Sequence, residues 1–173
     1  MKKTALALSE EGKKSFEKGD FEKAIQSFSD AAKNYAEEEN LLNAAEERNN
    51  LSVALLQAER AEEALKAAEG TDTIFAEAGD KLKQAMAIGN QAAALDELGD
   101  LDKAIALYQQ SASLFAEIGE GNYQETVLKS IAAIEFRSGK LQNTAQTMLA
   151  SVSAAKKPNL FQRFLKFILR IGR

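Results

Sequence analysis

The sequence predicts an all-α solenoid: antiparallel helix pairs stacked in about four rows, followed by one amphipathic helix. Three observations predict it. A forty-residue phrase recurs through the first 155 of 173 positions. β-Branched runs are short and strict apolar–polar alternation never persists, so strand signals are missing. Small residues recur at fixed places along helical segments, where two helices can approach closely.

The rows run over about residues 5–40, 41–80, 81–120 and 121–155. Gly19-Asp20, Gly99-Asp100 and Gly139-Lys140 fall at one place in rows one, three and four, and row two has Glu59-Arg60 there. The phrases FEKAIQSF, AEEALKAA, LDKAIALY and LQNTAQTM follow. A fixed period of this length marks stacked supersecondary units. Each row reads as two helices broken at the Gly-Asp turn, with Asp100 placed to cap the helix that follows. Gly12, Ser52, Ala92 and Ala132 recur in the first helices, and Ala24, Ala64 and Ala104 in the second. Phe28, Tyr108 and Met148 are placed to fill the space beside them.

These residues resemble the tetratricopeptide repeat (TPR) family in its longer, forty-residue form, over residues 5–155. Row one supplies the small residue Gly12, the Gly19-Asp20 turn, Ala24, the aromatic Phe28 and Ala31. Row three supplies Ala92, Gly99-Asp100, Ala104, Tyr108 and Ser111. Row two departs, with Ala68 at the aromatic position, and row four has Thr144 and Met148. Ala36, Ala76 and Ala116 stand where a standard repeat ends in proline, so the second helix is expected to run on by a turn. The resemblance implies a right-handed superhelix with a concave face, lined by the first helices, that binds a peptide or partner protein.

Composition narrows the chemistry. There is no Cys and no His, so disulfides, the usual zinc, haem and iron–sulfur ligand sets and histidine-based triads are absent. No cofactor, no metal and no catalytic residue is expected, and the chain is read as a non-enzyme. Glu37, Glu38 and Glu39, with Glu46 and Glu47 beyond, read as a solvated helix end, because nothing fixes a coordination geometry. Ala5 to Leu8 is too short for a signal-peptide core, and no apolar run approaches a membrane span. The expected location is cytoplasmic. The chain has 22 basic and 26 acidic residues. Six of the basic ones lie in residues 156–173, which leaves 16 against all 26 acids in residues 1–155, a net charge of −10. Such a body repels nucleic acid, which is not expected as a partner.

By position in the repeat, the concave face takes Leu6, Ser9, Lys13, Phe16 and Glu17 from row one, and Glu46, Asn49, Val53, Leu56 and Gln57 from row two. Row three adds Met86, Gly89, Ala93, Asp96 and Glu97. Row four adds Thr126, Lys129, Ala133, Phe136 and Arg137. The peptide groove is expected on Lys13, Phe16, Asn49, Val53, Leu56, Ala93, Lys129, Ala133 and Phe136. Some TPR proteins grip a C-terminal carboxylate with Lys and Asn on successive first helices. The matching places here hold Ser9 and Lys13, Asn50, then Met86 and Asn90, so that clamp is incomplete. Lys129 and Arg137 are the candidates to hold an isolated acid.

The last segment, KKPNLFQRFLKFILRIGR, has no acid. Pro158 marks a break and Asn159 a helix start. At about 100° per residue, Leu160, Phe161, Phe164, Leu165, Phe167, Ile168, Leu169 and Ile171 share one arc. Gln162, Arg163, Lys166, Arg170 and Arg173 share the other. Roughly fourteen residues at about 1.5 Å each fall short of the ~30 Å bilayer core. Three uses stay open: a cap on the last row, docking in the acidic groove of the same or a neighbouring molecule (a homo-oligomer through the tail), and attachment to an anionic membrane surface as a peripheral adaptor.

Overall fold

The computed structural model describes residues 3–154. Among them stand nine helices and no strand: α1 (Ala5–Glu17), α2 (Phe21–Glu37), α3 (Leu41–Gln57), α4 (Ala61–Ala68), α5 (Thr71–Glu77), α6 (Lys81–Glu97), α7 (Leu101–Glu117), α8 (Gly121–Arg137) and α9 (Leu141–Ala154). Consecutive helices pack on one another along the chain except α4 and α5, each of which packs on α3 and α6, and α3 and α6 also touch across row two. The second helices α2 and α7 run through Ala36 and Ala116 to residues 37 and 117.

One joint is used throughout. At the end of α1, Asp20 N donates to Ser15 O at 3.0 Å and Gly19 N to Phe16 O at 2.9 Å. This pair satisfies carbonyls that the last turn would leave unbonded, and it needs a left-handed residue between helices. The same two bonds recur at residues 39 and 40, 59 and 60, 79 and 80, 99 and 100, 119 and 120, and 139 and 140. The left-handed residue is Gly at five of these joints, but Glu39 has φ 57° and Glu59 has φ 60°. After three joints a side chain caps the next helix: Asp20, Asn40 and Asp80 accept from the amides of Lys23, Asn43 and Lys83. Asp100 does not cap α7 as expected. Its carboxylate instead meets Lys103 Nζ at 2.5 Å.

The small residues recur inside. Gly12, Ser52, Ala92 and Ala132 are buried, and Ala24, Ala64 and Ala104 are fully so. A Cβ at Gly12 would stand 2.6 Å from two ring carbons of Phe28, so only glycine admits that ring. Phe28 and Tyr108 are buried as expected, at 3% and 6% exposure. Met148, at the same place in row four, is 44% exposed, and no described helix follows α9 to complete its cover.

Row two departs from the expected pair of helices: its second helix is broken into α4 and α5. Glu69 leaves helical geometry and Gly70 takes φ 76°. Ala68 stands where the other rows have a larger side chain, so nothing wide wedges the helix in line. Polar side chains take the freed carbonyls. Arg48 Nη2 donates to Glu69 O at 2.6 Å, and Ala68 O accepts from Thr71 Oγ1 at 2.7 Å and from Gln91 Nε2 at 3.3 Å. The counterparts of Arg48 are Leu8, Ile88 and Leu128, and those of Gln91 are Glu11, Leu51 and Ile131. Of the two, Arg48 is the polar residue that only the broken row carries.

Two substitutions test this packing. Gly12→Ala is expected to lower unfolding stability by about 1–3 kcal/mol despite its better helix propensity, because the buried Phe28 ring must move. Glu59→Gly is expected to raise it by about 1 kcal/mol by relieving a left-handed side chain. Urea melts of the full chain read both.

Candidate functional site

The first helices α1, α3, α6 and α8 bring equivalent positions together in columns. Two hollows open between neighbouring first helices. One, of ≈ 200 Å³, is lined by Lys13, Phe16 and Glu17 of α1, Asn50 and Val53 of α3, and Phe28 of α2. The other, of ≈ 240 Å³, lies between α6 and α8 and is lined by Met86, Gly89, Asn90, Thr126, Val127 and Ser130, with Tyr108 of α7 among its walls. Phe28 and Tyr108 are counterparts, as are Asn50 and Ser130, but the remaining lining residues are not, so the two hollows share one wall and open at different heights along the first helices.

The expected groove residues fall into distinct groups. Lys13, Phe16 and Val53 meet in the first hollow. Asn49 is turned inward: it is 9% exposed, and its side-chain oxygen accepts from Thr71 Oγ1 at 3.0 Å. Leu56 and Ala93 are half-buried and pack on core clusters. Lys129, Ala133 and Phe136 are exposed, Phe136 at 64%. Tyr123 escaped the sequence reading. It is 44% exposed, stacks on Phe115 at 5.2 Å between centroids, and lines the second hollow. Its column is otherwise Lys3, Asn43 and Lys83, so the repeat gave no signal for an aromatic there.

Charge on this face is largely paired. Lys83 Nζ meets Glu46 at 2.8 Å between α3 and α6, and Arg137 meets Asp96 at 2.5 Å between α6 and α8. Lys129 meets Glu125 at 2.7 Å. Both candidates for holding an isolated acid are thus engaged within the chain. Such exposed pairs contribute roughly 0–1 kcal/mol each and can exchange with a ligand's charge. Among the described residues no three acidic side chains converge as metal ligands would, and no helix is long and apolar enough to cross a membrane. The expected docking helix, with Leu160, Phe161, Arg163, Phe164, Leu165, Lys166, Phe167, Ile168, Arg170 and Ile171, lies outside the described residues.

No protein-family model matches the chain, and no curated protein matches it. Solved structures do. Two belong to a candidate kinesin light chain of Podosopora anserina with nearly identical TPR-like repeats, one of them carrying a single substitution. Both have a TM-score of 0.73 and 15% identity. The substituted form matches over 85% of this chain and 72% of its own, and the other over 88% and 76%. The fold is TPR-like.

In this TPR-like array the contact between α1 and α3 contains a buried acid. Glu47 is 3% exposed, and Ser9 Oγ donates to its Oε1 at 2.7 Å. Asn50 Nδ2 stands 3.5 Å from its other oxygen. Burial outweighs these hydrogen bonds and the nearby Lys13, and pushes the carboxyl above its usual range. A raised folded pKa means that the neutral form is favoured in the folded state, so this group's contribution is lost as pH rises through that pKa. Glu47→Gln is therefore expected to melt higher than the parent at pH 7, with the gap closing as pH falls into the carboxylate range. Paired thermal melts from pH 4 to pH 8 check the sign.

Proposed function

We propose that the chain is a non-catalytic interaction scaffold whose first-helix face binds an extended or helical segment of a protein partner. The two hollows between first helices carry this reading. Each sits beside a second-helix aromatic, Phe28 or Tyr108, and the second is bordered by the exposed apolar side chains of Met86 and Tyr123. Exposed large apolar groups next to a preformed depression are what peptide anchors use, and polar walls such as Asn50, Asn90 and Thr126 are suited to fixing orientation. Between the hollows the face is crossed by the Glu46–Lys83 pair, a polar rim for a partner that reaches both. The solved TPR-like relatives support the same general role for a helical array of this kind. Catalysis has no comparable support, because the polar residues of the hollows include no nucleophile with a base beside it.

A displayed peptide library selected against the full chain tests the reading. Selected peptides are expected to lose roughly tenfold or more in affinity against Met86→Asp or Tyr123→Asp, since a buried anchor is worth on the order of 1–2 kcal/mol. Helicity of the variants should be unchanged. Peptides that bind both variants as well as the parent would place the interaction elsewhere.

A further inference from the structure

Neighbouring first helices are staggered, so that facing positions stand 37 residues apart rather than a full repeat, as Glu46 and Lys83 do where they meet. Both hollows keep this interval. Lys13 pairs with Asn50 and Phe16 with Val53 along the first, and Met86 pairs with Tyr123 and Asn90 with Val127 along the second. Two turns beyond Glu46 and Lys83, the same register sets Val53 beside Asn90. Phe16, Val53, Asn90 and Val127 therefore form one line across α1, α3, α6 and α8. The hollows open at different heights along their own helices, but the stagger brings them level, and they are the two ends of this line.

Between the two ends the floor is uncharged. Val53, Leu56, Gly89, Asn90, Ala93 and Ser130 make it, and all are half-buried. The charges that border it pair with each other, Glu46 with Lys83 on one side and Asp96 with Arg137 on the other. At the mouth of the first hollow Lys13 and Glu17 stand one turn apart on α1 and offset each other. A charged side chain laid on this floor would lose its water and find no partner. Gly89 is an independent observation. Gly12 is imposed by the Phe28 ring, but a Cβ at Gly89 would meet only Ser111 Oγ, at 3.4 Å, an ordinary contact. The counterparts of Gly89 are Ser9, Asn49 and Lys129. Glycine inside a helix costs stability relative to alanine, so the fold gains nothing from it here. What it leaves is bare backbone at the second hollow, where the main chain of a ligand can approach closely.

We infer that both hollows belong to one site, occupied by an extended, uncharged stretch of a partner protein with two large apolar side chains about six residues apart. This rests on the scaffold reading above and names its ligand. First helices packed about 10 Å apart put the hollows on the order of 20 Å apart, two steps along the line. Extended chain covers that span in about six residues at ~3.3 Å each, whereas a helix would need about thirteen at ~1.5 Å. One anchor fills each hollow, and the neutral chain between them lies on the uncharged floor and enters the second hollow over Gly89.

Because the chain has no tryptophan, an indole in a peptide reports its own burial by fluorescence. The probes are end-capped peptides with one tryptophan and one leucine, three to fourteen residues apart on a serine–glutamine linker, titrated against the full chain. A spacing of about six is expected to bind roughly tenfold more tightly than three or ten. A lysine or a glutamate midway between the anchors should remove roughly that tenfold. Both series are read on the parent and stand even if a variant unfolds. Val53→Asp and Met86→Asp should each weaken the best peptide roughly tenfold. Gly89→Ala should weaken it several-fold while raising the melting temperature, a pair of signs that damage to the fold does not produce. Unchanged binding by Gly89→Ala would overturn the path. A best spacing of about thirteen would assign the line to a helical partner and overturn the extended one. No binding, equal binding at every spacing, or dependence on Met86 without dependence on Val53 would overturn the joint site. The scaffold reading would survive each of these as long as library-selected peptides are still lost on Met86→Asp or Tyr123→Asp.

Discussion

The left-handed joint every twenty residues is the constraint on which the rest of the structure depends. It ends each helix by satisfying its last carbonyls and returns the chain in the opposite direction. Because the joints are evenly spaced, α2, α3, α6, α7 and α8 all come out at 17 residues. Helices of one length, turned by one joint, repeat their contacts at one interval. The buried small residues can then sit in columns, and so can the aromatics that pack beside them. Shifting one joint by one residue would rotate every later helix by about 100° and dissolve the columns.

Much of this was legible in the residues. The forty-residue beat located the helices because Gly-Asp pairs and small residues carry strong local preferences. The joints at Glu39 and Glu59 were less legible, since nothing about glutamate announces a left-handed backbone. The break in row two was also missed. Gly70 inside a helical phrase is ordinarily tolerated, and what holds the break, Arg48 on the carbonyl of Glu69 and Gln91 on that of Ala68, comes from other helices. Tertiary contacts decided these cases, and one row contains no record of the next.

The candidate face shows the same division. Position in the repeat brought Lys13, Phe16 and Val53 to one hollow, because first-helix columns follow directly from the period. The period does not report which way a small polar side chain turns. Asn49 shares a column with the exposed Lys129, yet it is spent on Thr71 beside the break. Tyr123 contributes through its stacking on Phe115, a contact between two rows that neither row states alone.

The Ser9–Glu47 contact bears on how such a chain avoids misassembly. Rows this alike invite stacking with one row skipped, a mistake that apolar faces alone would penalise little. In the correct order Glu47 meets a hydroxyl. Were row three to settle on row one, Ala87 would face Ser9 and the Glu47 carboxylate would lose its donor. One polar pair thus tells the first row who its neighbour is, a proofreading mark that the oily contacts cannot supply.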